Sequence, residues 1–383
     1  MRIEHGLAAL ILAGGYSSRA PGFKPLLPLG NSVVIENTIN NFRRANIVDI
    51  IVVAGHRLDE LLPILNRLPV RPVFNENYSE GMFSSVVAGV QSLWQDTEAF
   101  FLLPADMPLV RSHTIKLLGR AYKRTGADVI YPVFRGRRGH PPLITARLAP
   151  VISTWDGTEG LRQLLKKYES KAYEVEVSDE GVMLDVDTQA DYREACERWN
   201  CRHFPSQSEC EAIMVKLKVP ESVVRHGKVV AEVACRLAAR LNQAGLNMDA
   251  GLIASAGVLH DIAKGTPDHA RNGARILCGM GYPRVAAIVA VHTDIVFEKG
   301  VLLNEASIVY LADKLVKNDR IVSVEERFQY ALERASADDA ARAAIGKRLS
   351  NGHSIINEVE RRLGTDAVRN IAAESMIFRG AER

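Results

Sequence analysis

Leu12-Ala13-Gly14-Gly15-Tyr16-Ser17-Ser18-Arg19 follows directly on the apolar run Ala8–Leu12. The run has the length and composition of a buried strand, and the paired glycines mark its end. Glycines just after a strand let backbone N–H groups come close to a phosphate, and a helix start beyond them adds favourable partial charge. Arg19 and Lys24 then offer cations for a triphosphate. Alone, the stretch reads equally as a tight turn with two solvated bases, because it is neither a Walker A nor a G-x-G-x-x-G pattern.

Outward from this loop the same texture repeats. Ile50–Ala54, Ala99–Leu103, Asp128–Val133 and Ala172–Val177 are further short apolar runs that predict buried strands. Val34–Arg44, Ser84–Trp94 and Ile115–Lys123 lie between them with helical spacing. Strand and helix in alternation predict a mainly parallel, Rossmann-like α/β sheet covered on both faces. Ligands of such sheets bind beyond the carboxyl ends of the strands, so the loops after strands matter most. Past Trp199–Pro220 strand signals cease. Val223–Gln243, Ala250–Leu259, Arg271–Met280, Pro283–Val291, Ala306–Val316, Val324–Ser336 and Ser354–Leu363 all have helical spacing. The expectation is an α/β domain over residues 1–204 and an all-α domain over 205–383.

A chain of 383 residues exceeds what one core usually organises, in keeping with that division. The formal charge of +3 is small for the length and disfavours a dedicated nucleic-acid binder. Five cysteines without CxxC spacing read as reduced thiols. The run Leu7–Ala13 is too short to span a bilayer, and the expected location is the cytoplasm, away from membranes.

Further segments agree with a nucleotide site. Lys24-Pro25-Leu26-Leu27 follows the opening loop, and Asn75–Ser85 reads NENYSEGMFSS. Then come Pro104-Ala105-Asp106-Met107-Pro108-Leu109, Gly139-His140-Pro141-Pro142 and Leu184-Asp185-Val186-Asp187. In this order they resemble the nucleotidyltransferase family that includes molybdenum cofactor cytidylyltransferase and its guanylyl relative. The resemblance covers roughly residues 6–195. It implies that Leu12, Ala13, Gly14, Gly15, Ser18, Arg19, Lys24, Ser84 and Ser85 receive an NTP. It also implies that Asp106 holds Mg²⁺ with Asp187 or Asp185, and that Lys24 and Asp106 are catalytic. The Leu-Ala-Gly-Gly loop has the form of the guanylyl branch, whereas Glu80–Ser85 looks cytidylyl, so CTP is favoured over GTP. Arg19-Ala20-Pro21-Gly22 stands where the family has Arg-Met-Gly. Phosphorylated molybdopterin is the implied acceptor, with a sugar phosphate as the alternative. The basic loop Arg135–Arg138 reads either as a solvated hairpin tip or as a contact for the acceptor's phosphate.

In the helical half, His226, His260-Asp261, His269, His292 and Asp313 mostly stand at or near the ends of apolar runs. Imidazoles and carboxylates sharing one cavity suit Fe, Mn or a similar ion. The order His … His-Asp … Asp resembles the HD phosphohydrolase superfamily. The resemblance implies metal ligation by His226, His260, Asp261, His269, His292 and Asp313, with Asp261 catalytic and Lys264 on substrate phosphate. A non-hydrolysing nucleotide sensor is the alternative for this half. Glu/Arg pairs along the last helices predict a solvated face or an oligomer interface. A molybdoenzyme or a second copy of the chain are the protein partners this reading implies.

Overall fold

The computed structural model describes residues 6–16, 20, 22–298, 300–335 and 338–380. Contacts divide the chain into two units, Met1–Asn200 and Cys201–Arg383. The division falls before the expected 204/205 because the connecting residues pack with the helices. His203 Nε2 lies 2.7 Å from Asp249 Oδ2, and the Phe204 ring lies against Gly251.

The first unit is built on eight strands: β1 (Leu7–Ala13), β2 (Asp49–Ala54), β3 (Arg71–Phe74), β4 (Ala99–Pro104), β5 (Val129–Phe134), β6 (Arg137–Arg138), β7 (Leu143–Thr145) and β8 (Ala172–Glu176). Their order is β8-β5-β7-β4-β1-β2-β3, with β6 paired to β5. The pairs β1/β2, β1/β4, β2/β3 and β5/β8 are parallel, whereas β7 runs antiparallel to β4 and β5. Neither β3 nor β7 stands out in the sequence. β3 is four residues long with only alternate positions half-buried, and β7 has three residues.

Both faces of the central strands are covered, hence their unbroken apolar sequence. Leu10, Leu12, Ile51 and Val53 pack with Val86 and Val90 of helix α2 (Met82–Gln91). On the other face Phe101 meets Phe42 of α1 (Val34–Arg44), with ring centroids 5.7 Å apart. Val34, Ile35, Ile39 and Phe42 recur at helical spacing and are fully buried. Helix α3 (Ser112–Thr125) packs beside α1, and α4 (Gln189–Cys201) closes the unit.

The second unit holds α5 (Gln207–Lys216), α6 (Glu221–Gln243), α7 (Ala250–Leu259), α8 (His269–Gly279), α9 (Pro283–Val291), α10 (Glu305–Lys314), α11 (Val324–Arg334), α12 (Asp339–Leu363) and α13 (Ala367–Gly380). Helix α12 starts well before the expected Ser354. Its early turns follow alanine's helix preference and the cap that Asp338 gives Ala341 N–H, with little apolar periodicity. Helices α6 and α7 cross closely through glycines. A β-carbon on Gly227 would lie 2.5 Å from Val258 O, and one on Gly257 would lie 2.7 Å from Ala231 Cα. No described helix is long and apolar enough to cross a membrane.

Candidate nucleotide cleft and candidate metal centre

Strand β1 lies between β2, the next strand in sequence, and β4, which the chain reaches later. A crevice opens at such a reversal beyond the carboxyl ends of the strands. Here it is a cleft of about 390 Å³, lined by Leu12, Ala13, Gly14 and Gly15 after β1. Asp106, Lys24, Asp187 and Ser85 line it too. Ser18 and Arg19 lie outside the described residues.

Buried side chains of α1 hold the turn after β4. Thr38 Oγ1 donates to Ala105 O at 3.1 Å, and Asn41 Nδ2 donates to Pro108 O at 2.8 Å. A second segment is strapped across this turn by buried Asp179. Its carboxylate accepts from Arg111 N at 2.8 Å, Thr114 Oγ1 at 2.6 Å and Gly181 N at 3.0 Å. Val186 N then donates to Asp106 O at 2.9 Å, which brings Asp187 beside Asp106.

Lys24 Nζ joins the two carboxylates. It donates to Asp106 Oδ2 at 3.0 Å and also to Asp187 Oδ1. Burial alone would lower the Lys24 ammonium, but the bonds to Asp187 and Asp106 outweigh it and hold the group above its ordinary 10.5. Asp185 stays outside this triangle. Burial, then the charges of Asp187 and Asp106, push its carboxyl up. Two carboxylate oxygens converging on one cationic nitrogen form an oxygen-only donor set of the kind Mg²⁺ takes.

Ser85 lines the cleft, whereas the Ser84 hydroxyl is engaged within the loop. Asn75 Nδ2 donates to Ser84 Oγ at 2.8 Å and to Ser85 Oγ at 3.0 Å, and Ser84 Oγ also lies 2.8 Å from Gly81 O. Gly81, at φ 102°, turns the chain into α2. In the basic hairpin Arg138 is committed to Glu169 and Glu174 and stacks on Tyr131, which favours a structural tip at that residue.

In the second unit, helix ends and the glycine crossing bring all the expected ligands together. His226 Nδ1 lies 2.6 Å from Asn318 O, His260 Nδ1 2.8 Å from Gly257 O, and His292 Nδ1 2.7 Å from Val289 O. A carbonyl oxygen only accepts, so each Nδ1 carries the proton and each Nε2 is left to face the centre. His226 and His260 converge with Asp261, and Asp261 also converges with His269 and His292. Asp261 Oδ1 lies 3.3 Å from His269 Nε2 and 3.4 Å from His292 Nε2, while Oδ2 lies 3.5 Å from His260 Nε2. Asp313 Oδ1 is 3.0 Å from His226 Nε2 and 3.5 Å from His260 Nε2.

Among the described residues, the buried Nε2 atoms of His260 and His292 have no hydrogen-bond partner. Buried polar atoms are seldom left so, and an ion coordinated there would satisfy them. Burial alone would lower His260, but the carboxylates of Asp261 and Asp313 outweigh it and push the imidazole up to about 10. Burial lowers His292. Asp261 and Asp313 resist burial and stay well below the usual carboxylate range, Asp261 beside the imidazoles and Asp313 beside Lys314 and the imidazoles. Lys264, half-exposed, donates to Asp261 Oδ2 at 2.6 Å. Lys314 is a buried member of the site that the sequence reading passed over. Its signal is a charge at the end of the apolar run Ile308–Ala312.

An α/β unit with a phosphate-type loop and paired carboxylates, followed by a helical His/Asp centre, defines a nucleotidyltransferase joined to an HD-type module. Residues 9–172 match the MobA-like NTP transferase domain and residues 223–318 match the HD domain, so the chain carries a MobA-like NTP transferase domain followed by an HD domain. It is 29% identical over 191 residues to molybdenum cofactor cytidylyltransferase of Escherichia coli, covering 50% of this chain and 95% of that protein. It is 28% identical over 190 residues to nicotine blue oxidoreductase of Paenarthrobacter nicotinovorans, covering 48% and 92%. Among solved structures, Rv0371c of Mycobacterium tuberculosis superposes with a TM-score of 0.46 at 22% identity, covering 51% of this chain and all of that one.

Proposed function

We propose that the first unit transfers a nucleotidyl group from CTP, or less readily GTP, to phosphorylated molybdopterin. The observation that carries this reading is Lys24 held between Asp106 and Asp187, beside Gly14 and Gly15 at the carboxyl end of β1. An acceptor phosphate oxygen bonds to the α-phosphorus as the bond to the β-phosphate breaks, and pyrophosphate leaves. Such in-line transfer depends on positioning and charge neutralisation, which glycine N–H groups and Lys24 would supply. Asp106 and Asp187 would hold Mg²⁺, whose charge offsets that of the phosphates. The cytidylyl-like Asn75–Ser85 segment and the similarity to the Escherichia coli cytidylyltransferase support the base and the acceptor.

The second unit is proposed to be a phosphohydrolase using Fe or Mn. His226, His260, Asp261, His269, His292 and Asp313 would hold the ions, whose charge would acidify water and attract phosphate. Lys264 reaches the same centre from the exposed side. The protein is expected to work in the cytoplasm without a membrane or nucleic acid, with a molybdoenzyme or a second copy of the chain as partner.

Incubation of the full chain with Mg²⁺, molybdopterin and each of the four NTPs tests the transferase reading. Pyrophosphate release is expected with CTP, and Asp106→Ala should reduce it by about two to three orders of magnitude. No release with any NTP discards the pterin acceptor and turns the assay to sugar phosphates. For the second unit, nucleotides, pyrophosphate and pterin phosphate are offered with Fe²⁺ or Mn²⁺. Metal binding without turnover of any of them replaces hydrolysis by a sensor.

A further inference from the structure

Lys314 is a buried cation beside a centre built to hold cations. Its side chain is 7% exposed at the end of α10. Nζ donates to Asp313 Oδ2 at 2.6 Å and to the backbone carbonyl of His292 at 3.1 Å, and it lies 4.8 Å from the centroid of the Tyr310 ring. An ammonium taken out of water is costly unless it is paired and hydrogen-bonded, and these contacts meet that requirement.

The two bonds reach different halves of the centre. With Oδ2 taken by the ammonium, Asp313 turns Oδ1 toward His226 and His260, at 3.0 and 3.5 Å. The other bond holds the backbone of His292, whose Nε2 faces Asp261 Oδ1 at 3.4 Å. Direct attraction is not the ammonium's contribution, since it repels a divalent ion at this range. What it supplies is placement.

We propose that Lys314 is a positioning residue that fixes Asp313 as a one-oxygen ligand and ties it to His292, so that both halves of the centre load metal together. The inference rests on the metal-centre reading above.

Equilibrium titration of the full chain with Mn²⁺ alone tests it, comparing the unaltered protein with Lys314→Met. The helical centre of the unaltered chain is expected to bind two ions, one per His/Asp group. Lys314→Met is expected to bind Mn²⁺ at least about tenfold more weakly and to lose cooperative loading, with Asp106-dependent pyrophosphate release unchanged. Tighter Mn²⁺ binding by the variant would show that only charge matters and overturn the proposal. A lower melting temperature without metal, at unchanged Mn²⁺ affinity, would overturn it in favour of a packing role. If circular dichroism shows Lys314→Met unfolded in the helical unit, Lys314→Gln carries the same comparison and the same two outcomes. An unaltered chain that binds no Mn²⁺ removes the metal centre and this inference together, whereas two ions bound with equal affinity and equal cooperativity in both proteins remove only this inference.

Discussion

At the residue scale the two sites use charge in opposite ways. In the cleft a lysine bridges two carboxylates and offsets one of their two negative charges. In the helical unit four imidazoles lie in a row, with successive ring centroids 5.0 to 5.2 Å apart, around Asp261 and Asp313. His260 is pushed up to about 10 there, so at neutral pH the metal-free side chain keeps a proton that a metal-ligating nitrogen cannot hold. Mn²⁺ binding should therefore release a proton, and affinity should rise with pH up to about 10. Calorimetry in buffers of different ionisation enthalpy measures this. An affinity flat below about pH 10 would show that no such proton is displaced from His260. The histidines and aspartates that converge were named from the motif order, most of them standing at or near the end of an apolar run. Lys314 and Asp179 were not, because a charge reads as solvated until burial and partners are seen.

At the scale of elements, the α6/α7 crossing sets the metal centre. Gly227 follows His226 and Gly257 precedes His260 by one turn, so the contacts that let the helices approach also set the two ligands side by side. Gly227→Ala places a methyl group 2.5 Å from Val258 O and forces the helices apart. It should cost about 1–3 kcal/mol and weaken Mn²⁺ binding while leaving pyrophosphate release intact. Urea unfolding and Mn²⁺ titration check this, and an unchanged midpoint and affinity would show that the crossing tolerates the extra atom. The central strands were legible because burial on both faces leaves an unbroken apolar run, and α1 because burial on one face writes a helical period into the sequence. β3, β7, α5 and α13 were not, being short or only weakly patterned.

At the scale of the whole molecule, each unit should respond to its own ligand. A ligand that binds only the folded state adds about 2.7 kcal/mol at a free concentration about a hundred times its Kd. In thermal unfolding, stabilisation by CTP with Mg²⁺ should vanish in Asp106→Ala and persist in Asp313→Ala. Stabilisation by Mn²⁺ at the helical centre should show the reverse. Loss of both effects in either variant would mean that the sites do not act separately. The sequence by itself determined the α/β-then-helical order, the glycine loop after β1 and the ligand motifs, because local periodicity and residue chemistry are written in the chain. The tertiary structure alone decided which groups meet. Lys24 joins Asp187 across 163 residues of separation, and His226 meets Asp313 across 87, because sheet order and the packing of α6 against α10 bring distant ends together. Neither juxtaposition leaves a local pattern, since the forces that make them are long-range packing and burial.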